Sequence, residues 1–221
     1  MGRETVISLV MDHGTNVLAV ARDKDALDQL AIACENGPGR IAVREEDLAL
    51  PGASARIRQV IGADRVIALI HNAGQLHHRP MGRHEREELA HLYAVNVLAP
   101  LELSQALADP LRGSPPGHIV HIGSMGGFQD SAKFRGLVAY SASKAALACM
   151  AQCLAEEFKD MDIRSNCLAL GAVDTAMLRA AFPGYQAPVS AKAMGRYIAD
   201  FALNGHKLFN GKVLPVAVTT P

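Results

Sequence analysis

The stretch "YSASKAALACM" places Tyr140 and Lys144 four residues apart. On a helix that spacing puts a phenol and an ammonium on one face, one turn from each other. A cation near a phenol favours the phenolate, so the pair suits proton transfer near neutral pH. Alone, a Tyr-x-x-x-Lys spacing is more often surface decoration, and its context decides. "RVIALIHNAG" puts Asn72, Ala73 and Gly74 just past a buried strand, where small residues let a ligand approach the backbone. "YAVNVLAP" puts Asn96 inside a long helical stretch, where Asn is a poor helix former. "HIVHIGS" delivers Ser124 at a strand end, and "NCLALGAVDTAM" puts Gly171, Val173 and Thr175 at the end of the strand after that. Singly, Ser124 reads as a turn former, Asn96 as a helix-kinking polar residue and Thr175 as a helix N-cap. Their occurrence together, in this order, points to one site.

Such residues need a frame, and the periodicity supplies one. Helical spacing over Glu4–Met11 is followed by a turn at Asp12–Thr15 and a buried strand at Asn16–Arg22. The alternation continues with a helix at Lys24–Glu35, a strand at Arg40–Arg44, a helix at Ala53–Ile61 and a strand at Arg65–His71. A long helix over Glu85–Leu107, a strand at His118–Gly123, a helix at Val138–Lys159 and a strand at Ile163–Leu170 come next. A helix at Ala191–Ala202 and a strand at Lys212–Val218 end the series. Nearly continuous apolar strands such as "RVIALI" fit a sheet covered on both faces. The expected fold is therefore a single α/β domain over residues 1–221, a doubly wound parallel sheet with helices on both faces. The irregular stretches Ser124–Gly136 and Thr175–Ser190 follow strands, at the end of the sheet where such folds bind ligands.

Composition narrows the partners. Lys+Arg and Asp+Glu balance at 22 each, which leaves no electrostatic footprint for nucleic acid or an anionic membrane. Cys34, Cys149, Cys153 and Cys167 lie in apolar segments without CxxC spacing and read as reduced, buried thiols. No apolar run approaches the length of a membrane span and no leader pattern opens the chain, so the expected location is the cytoplasm. His77, His78, His84 and His91 lack a coherent ligand spacing, and no metal is expected. The seven residues "AALACMA" after Lys144 offer no polar face, so one side should cover the sheet and the other a second subunit.

The ordered set Asn72-Ala73-Gly74, Asn96, Ser124, Tyr140 and Lys144 resembles the short-chain dehydrogenase/reductase family of the compact, single-domain type, over essentially the whole chain. The resemblance implies a Rossmann-like sheet, a nicotinamide dinucleotide, and hydride transfer to or from a carbonyl or alcohol carbon. It implies Tyr140 as general acid/base, Lys144 on the nicotinamide ribose and lowering the phenol's pKa, Ser124 on the substrate oxygen, and Asn96 holding a relay water. Val173 and Thr175 would receive the carboxamide, with Gly2, Arg22, Asp47, Asn72, Ala73, Gly74 and Gly171 along the rest of the dinucleotide. Leu170 departs from the family's usual Pro, and the short Thr175–Ser190 segment implies a small substrate lid. The family also pairs these helices in homodimers and homotetramers.

No acid occupies Ala21 and Arg22 follows it, so NADP(H) is expected over NAD. Met125, Phe128, Met177 and Phe182 suggest an apolar pocket for a small or lipophilic carbonyl. The competing reading is a truncated, catalytically silent scaffold or dinucleotide-binding protein; epimerisation or dehydration of nucleotide sugars is disfavoured because no substrate domain follows the sheet. "MGRETV" underlies the truncation, because it fits the helix entry of the family's Thr-Gly-x-x-x-Gly-x-Gly turn with Gly2 as the last glycine. The chain thus reads as starting inside that motif, at an internal Met or as a shortened relative. The strand expected before it would be central, and its roughly five buried side chains at about 1.5–3 kcal/mol each favour the first explanation. Both neighbouring strands would be left with unpaired backbone. Dinucleotide binding by this chain alone is expected in the millimolar range.

Overall fold

The apolar runs become parallel strands and the segments between them helices, in a computed structural model that describes residues 1–218. In chain order these are α1 (Gly2–Ile7, continued by a π-helical turn Ser8–Asp12), β1 (Val17–Ala21), α2 (Lys24–Cys34), β2 (Ile41–Glu45), α3 (Ala53–Ile61) and β3 (Ala68–His71). There follow α4 (Arg86–Tyr93), α5 (Ala99–Ala106), α6 (Ala108–Leu111), β4 (Gly117–Ser124), α7 (Val138–Glu157) and β5 (Ile163–Leu170). The last are β6 (Val173–Asp174), α8 (Ala176–Ala181), β7 (Val189–Ser190), α9 (Ala191–Asn204) and β8 (Val213–Val216). Side-chain caps mark several helix starts: Asp23 accepts from the Ala26 N–H at 2.9 Å and Ser190 from the Ala193 N–H at 3.1 Å.

Strands β3, β4, β5 and β8 form one parallel sheet in that order. On one face Val120, Ile122, Leu168 and Leu170 pack against Met194, Ile198 and Phe201 of α9. On the other, Ile119 and Ile163 meet Leu103, Leu107 and Leu111 of α5, α6 and the link between them. Both faces being covered explains why β4 and β5 are almost wholly buried. The short parallel pair β6–β7 ties the Thr175–Ser190 segment together at the strand ends.

Two departures from the sequence reading have local causes. The long helix of residues 85–107 is interrupted by a π-helical turn at Ala94–Leu98. Pro100 has no N–H to donate to the Asn96 carbonyl four residues earlier, and the ladder widens so that the Ala99 N–H reaches the Ala94 carbonyl. Cys149 and Cys153 are exposed, not buried; Cys34 and Cys167 are buried as expected. Helix α7 is apolar nearly all round, but only the side carrying Leu147, Ala151 and Leu154 meets the sheet.

A third feature concerns the sheet itself. Among the described residues, strands β1 and β2 pair only with each other, so the parallel array is interrupted between β1 and β3. No helix among the described residues is long and apolar enough to cross a membrane.

Candidate active site

The carboxyl ends of β3, β4 and β5 converge on a cavity of about 140 Å³. Asn72, Gly74, Ser124, Tyr140, Lys144, Gly171, Val173 and Thr175 all line it. The four residues Ala73, Asn96, Arg22 and Asp47 do not. Asp47 accepts from the Ala49 N–H at 3.0 Å within its own turn, and Arg22 is exposed just past β1. Gly2 stands behind the cavity: a Cβ there would come within 2.4 Å of Asn72 Nδ2.

Helix α7 carries the central pair. Tyr140 and Lys144 lie one turn apart as their spacing dictates, with the Lys144 ammonium 6.0 Å from the Tyr140 ring centroid. The ammonium donates to the Ile122 carbonyl at 2.8 Å, across to β4. Burial pushes the Tyr140 phenol up from its ordinary value, while the Ser124 hydroxyl acts in the opposite direction. Burial also brings Lys144 down to about 8, against a smaller opposing effect of Cys167. The phenolate-favouring neighbour is therefore Ser124, with Lys144 turned to the strand.

Ser124 sits at the last position of β4, and its Oγ accepts from the Gly126 N–H at 3.1 Å, starting a tight turn over Met125–Gly127. That turn lies against α7: a Cβ on Gly127 would come within 2.5 Å of the Ala145 nitrogen and 2.6 Å of the Lys144 carbonyl carbon. Glycine there lets the Ser124 turn and the Tyr140–Lys144 helix touch backbone to backbone.

Asn96 acts on the site through another segment. Fully buried in the π-helical turn, its Oδ1 accepts from the Gln75 N–H at 2.8 Å. Its Nδ2 donates to the Gln75 carbonyl and to Ser143 Oγ, each at 2.9 Å. One side chain thus pins the loop after β3 to α7. Thr175 caps α8, accepting from the Leu178 N–H at 3.2 Å, so its hydroxyl serves the helix start while its residue lines the cavity.

The remaining wall is apolar. Met125, Met177 and Phe182 line it as their types suggested, but Phe128 does not; its N–H closes the Met125–Gly127 turn instead. Leu76, Phe134, Leu137 and Leu178 are lining residues that sequence reasoning missed. Phe134 and Leu137 fall in or beside the irregular stretch after β4, and that position was the signal available. Phe182 packs edge-on to both Phe134, with centroids 5.9 Å apart, and His78, at 6.1 Å, joining three loops around the mouth.

Beneath Lys144 lies a layer of buried imidazoles. His71 and His121 have ring centroids 4.9 Å apart on adjacent strands. His71 Nε2 is 2.9 Å from Ser104 Oγ, whose own proton goes to the Pro100 carbonyl at 2.7 Å, so the imidazole is the donor. Burial, with Lys144 adding to it, takes His71 down to about 3.

Against known proteins, the family model described as short chain dehydrogenase matches residues 1–186. The chain is 31% identical over 189 residues to the uncharacterized oxidoreductase YciK of Escherichia coli, covering 83% of this chain and 73% of that one. It is 27% identical over 179 residues to the vibriobactin-specific 2,3-dihydro-2,3-dihydroxybenzoate dehydrogenase of Vibrio cholerae, covering 78% of this chain and 66% of that one. A structure described as an NAD(P)-dependent gluconate 5-dehydrogenase of Beutenbergia cavernae with bound NADP superimposes with a TM-score of 0.85 at 27% identity, covering 98% of this chain and 90% of that one. The chain spans as little as 48% of the length of other curated relatives that it matches.

Proposed function

Because the chain belongs to the short-chain dehydrogenase family, we propose that it is an NADP(H)-dependent oxidoreductase that reduces a small or lipophilic carbonyl, or oxidises the corresponding alcohol. The observation that carries this reading is the convergence of Ser124, Tyr140 and Lys144 in one cavity whose wall is largely apolar.

The residues fit the nicotinamide half of a dinucleotide. Asn72 Oδ1 is buried without a partner, and a Cβ on Gly74 would stand 3.3 Å from Lys144 Nζ, so a flat polar group can lie against this loop only beside glycine. Lys144 and Asn72 would hold the ribose side, and Gly171, Val173 and Thr175 the carboxamide. When bound, the nicotinamide supplies or accepts the hydride. Ser124 donates to the substrate oxygen, and the Tyr140 Oη proton moves to that oxygen as reduction makes it basic. Asn96 keeps the 72–76 segment in place, and its main-chain carbonyl, to which Pro100 has no hydrogen to give, holds the water that returns the proton. The cavity wall of Leu76, Met125, Phe134 and Phe182 carries no charge, which favours an apolar substrate over a polyol.

For the phosphate preference, Asp23 beside Arg22 is turned to the start of α2, capping Ala26, which leaves the guanidinium as the charge facing a 2′-phosphate. NADPH is expected to bind at least about tenfold more tightly than NADH, with Arg22→Ala removing the difference; one charge-assisted contact of about 1.5–3 kcal/mol is a factor of that size. Titration of both nucleotides decides it, and equal or tighter NADH binding overturns the preference. NADPH oxidation against a panel of apolar and polar carbonyls tests the activity. Binding without turnover on any carbonyl would favour the silent dinucleotide-binding reading.

We extend the reading to assembly. Val138, 56% exposed, falls on one side of α7 with the exposed Cys149 and Cys153, and Leu98 and Leu101, 51% and 42% exposed, belong to the helical segment that packs against α7. A second copy is expected to cover this side, giving a dimer or tetramer by light scattering at micromolar concentration. A monomer there contradicts it.

A further inference from the structure

Helix α7 is rich in alanine, yet the residue just before Lys144 is a serine with no exposed surface. Alanine serves a buried helix position better, because serine competes with the helix for hydrogen bonds. The bonds of Ser143 account for the choice. Its Oγ lies 2.7 Å from the Tyr140 carbonyl, which has no hydrogen to give, so the hydroxyl donates there. Its lone pairs are left to accept from Asn96 Nδ2 at 2.9 Å. The other Nδ2 hydrogen goes to the Gln75 carbonyl while Oδ1 takes the Gln75 N–H, so turning the Asn96 amide over would set oxygen against oxygen. The direction of every bond from Gln75 through Asn96 and Ser143 to Tyr140 is therefore fixed.

This line connects two walls of the cavity. The loop after β3 supplies Asn72, Gly74 and Leu76 to it, and the first turns of α7 supply Tyr140 and Lys144. Space between the walls is tight: a Cβ on Gly74 would stand 3.5 Å from Asn96 Oδ1 and 3.3 Å from Lys144 Nζ. The register of the loop against α7 thus depends on how Asn96 is held. Asn96 is itself fully buried, so without Ser143 one of its amide hydrogens would lose its acceptor and the side chain would be free to shift toward Gln75. A serine that only bonded back to its own helix would make no such connection.

We propose that Ser143 is a positioning residue, whose hydroxyl holds the turn of α7 carrying Tyr140 in register with the loop whose Asn72 faces the nicotinamide ribose. The proposal rests on the oxidoreductase reading above. Reduction there needs a hydride and the Tyr140 proton to reach one carbonyl group from two walls, and a misplacement of about 1 Å costs on the order of 10²-fold in rate. Ser143 does not line the cavity and acts through Tyr140 and Asn96.

Ser143→Ala is expected to lower kcat by at least about tenfold while KM for the carbonyl and Kd for NADPH stay within about twofold, because Asn96 keeps both bonds to Gln75 and the nucleotide loop stays formed. Ser143→Thr retains a hydroxyl that can turn back on the helix in the same way, and should recover most of the rate. Should Ser143→Ala not fold, Ser143→Cys, which fills the space but bonds weakly, is expected to show the same split. Wild-type kcat in the variant that lacks the hydroxyl overturns the proposal. So does a parallel loss of kcat and nucleotide affinity, which marks a general loosening, or a threonine variant no better than alanine. A second readout needs neither nucleotide nor turnover. With carbon-13 at tyrosine Cζ, the Tyr140 resonance, assigned by its loss in Tyr140→Phe, should move or broaden without the Ser143 hydroxyl and return in Ser143→Thr. A resonance unchanged by the loss of the hydroxyl overturns the proposal even if the chain turns over no carbonyl. A displaced resonance in a chain without turnover defeats the activity reading and leaves the connection from Asn96 to Tyr140 standing.

Discussion

Tyr140→Phe is expected to lower turnover by on the order of 10²–10⁴-fold, the usual contribution of a positioned proton donor, while leaving dinucleotide affinity within about twofold. The substitution removes one oxygen from a side chain held by its ring on α7, so the cavity keeps its shape. A variant retaining a tenth of the wild-type rate would exclude Tyr140 as the acid. Lys144→Met should behave differently, weakening nucleotide binding and slowing turnover together, because the ammonium that donates to the Ile122 carbonyl also lines the cavity, on the side proposed for the ribose. The pH dependence separates the two directions of reaction. Burial raises the Tyr140 phenol above its ordinary value, so the protonated form that carbonyl reduction needs persists through the neutral range. Reduction should be flat there, while alcohol oxidation, which needs the phenolate, should climb with pH. Ser124→Ala removes the hydroxyl that favours the phenolate and should move the oxidation limb to still higher pH.

The alternation of strands and helices was legible because each segment carries its period locally: apolar runs such as "HIVHIG" in β4 and the four-residue spacing of Tyr140 and Lys144 in α7. The line of residues around the cavity was legible for the same reason, since strand ends deliver Asn72, Ser124 and Gly171 to one edge of a parallel sheet. What was not legible depends on partners far away in sequence. The widened turn at Asn96 needed Pro100 to be read as an obstacle inside a helix, and the bonds from Asn96 to Gln75 and Ser143 join three separate elements. The exposure of Cys149 and Cys153 depends on which side of an all-apolar helix meets the sheet, and composition does not choose a side. Phe128 was misplaced because aromatic type says nothing about whether a loop residue turns into a cavity or closes a turn.

Acid should unfold this protein far more steeply than its exposed carboxylates would. His71, His118 and His121 are all buried, and burial lowers all three: His71 to about 3, His118 to about 4, and His121 well below its ordinary value, with Lys144 adding to the effect at His71 and His121. The surroundings of His118 and His121 leave no place for a second proton. His118 Nδ1 is 3.0 Å from the Ala202 carbonyl and must donate, so its Nε2 is left to accept from Asn166 Nδ2, also at 3.0 Å. A second proton on His118 would turn that acceptor into a donor facing a donor. His121 Nδ1 is buried with no partner, and a proton there would strand a charge in the core. In the unfolded chain the same imidazoles take up protons near pH 6.5. Between pH 6.5 and about 4 the unfolded state therefore binds more protons than the folded one, and stability falls as pH falls. Each fully excluded proton contributes about 1.4 kcal/mol per pH unit, so at pH 4.5 His71 and His118 together cost on the order of 5 kcal/mol, and His121 adds in the same direction. That is comparable with the whole stability of a typical domain, roughly 5–15 kcal/mol. Urea midpoints are expected to drop sharply below pH 6 with a linkage approaching three protons, and His71→Gln, His118→Gln and His121→Gln should each reduce that linkage by about one, whatever they do to stability at pH 8. A midpoint constant down to pH 4.5, or a linkage untouched by all three substitutions, would show that the imidazole layer is not what limits the fold in acid.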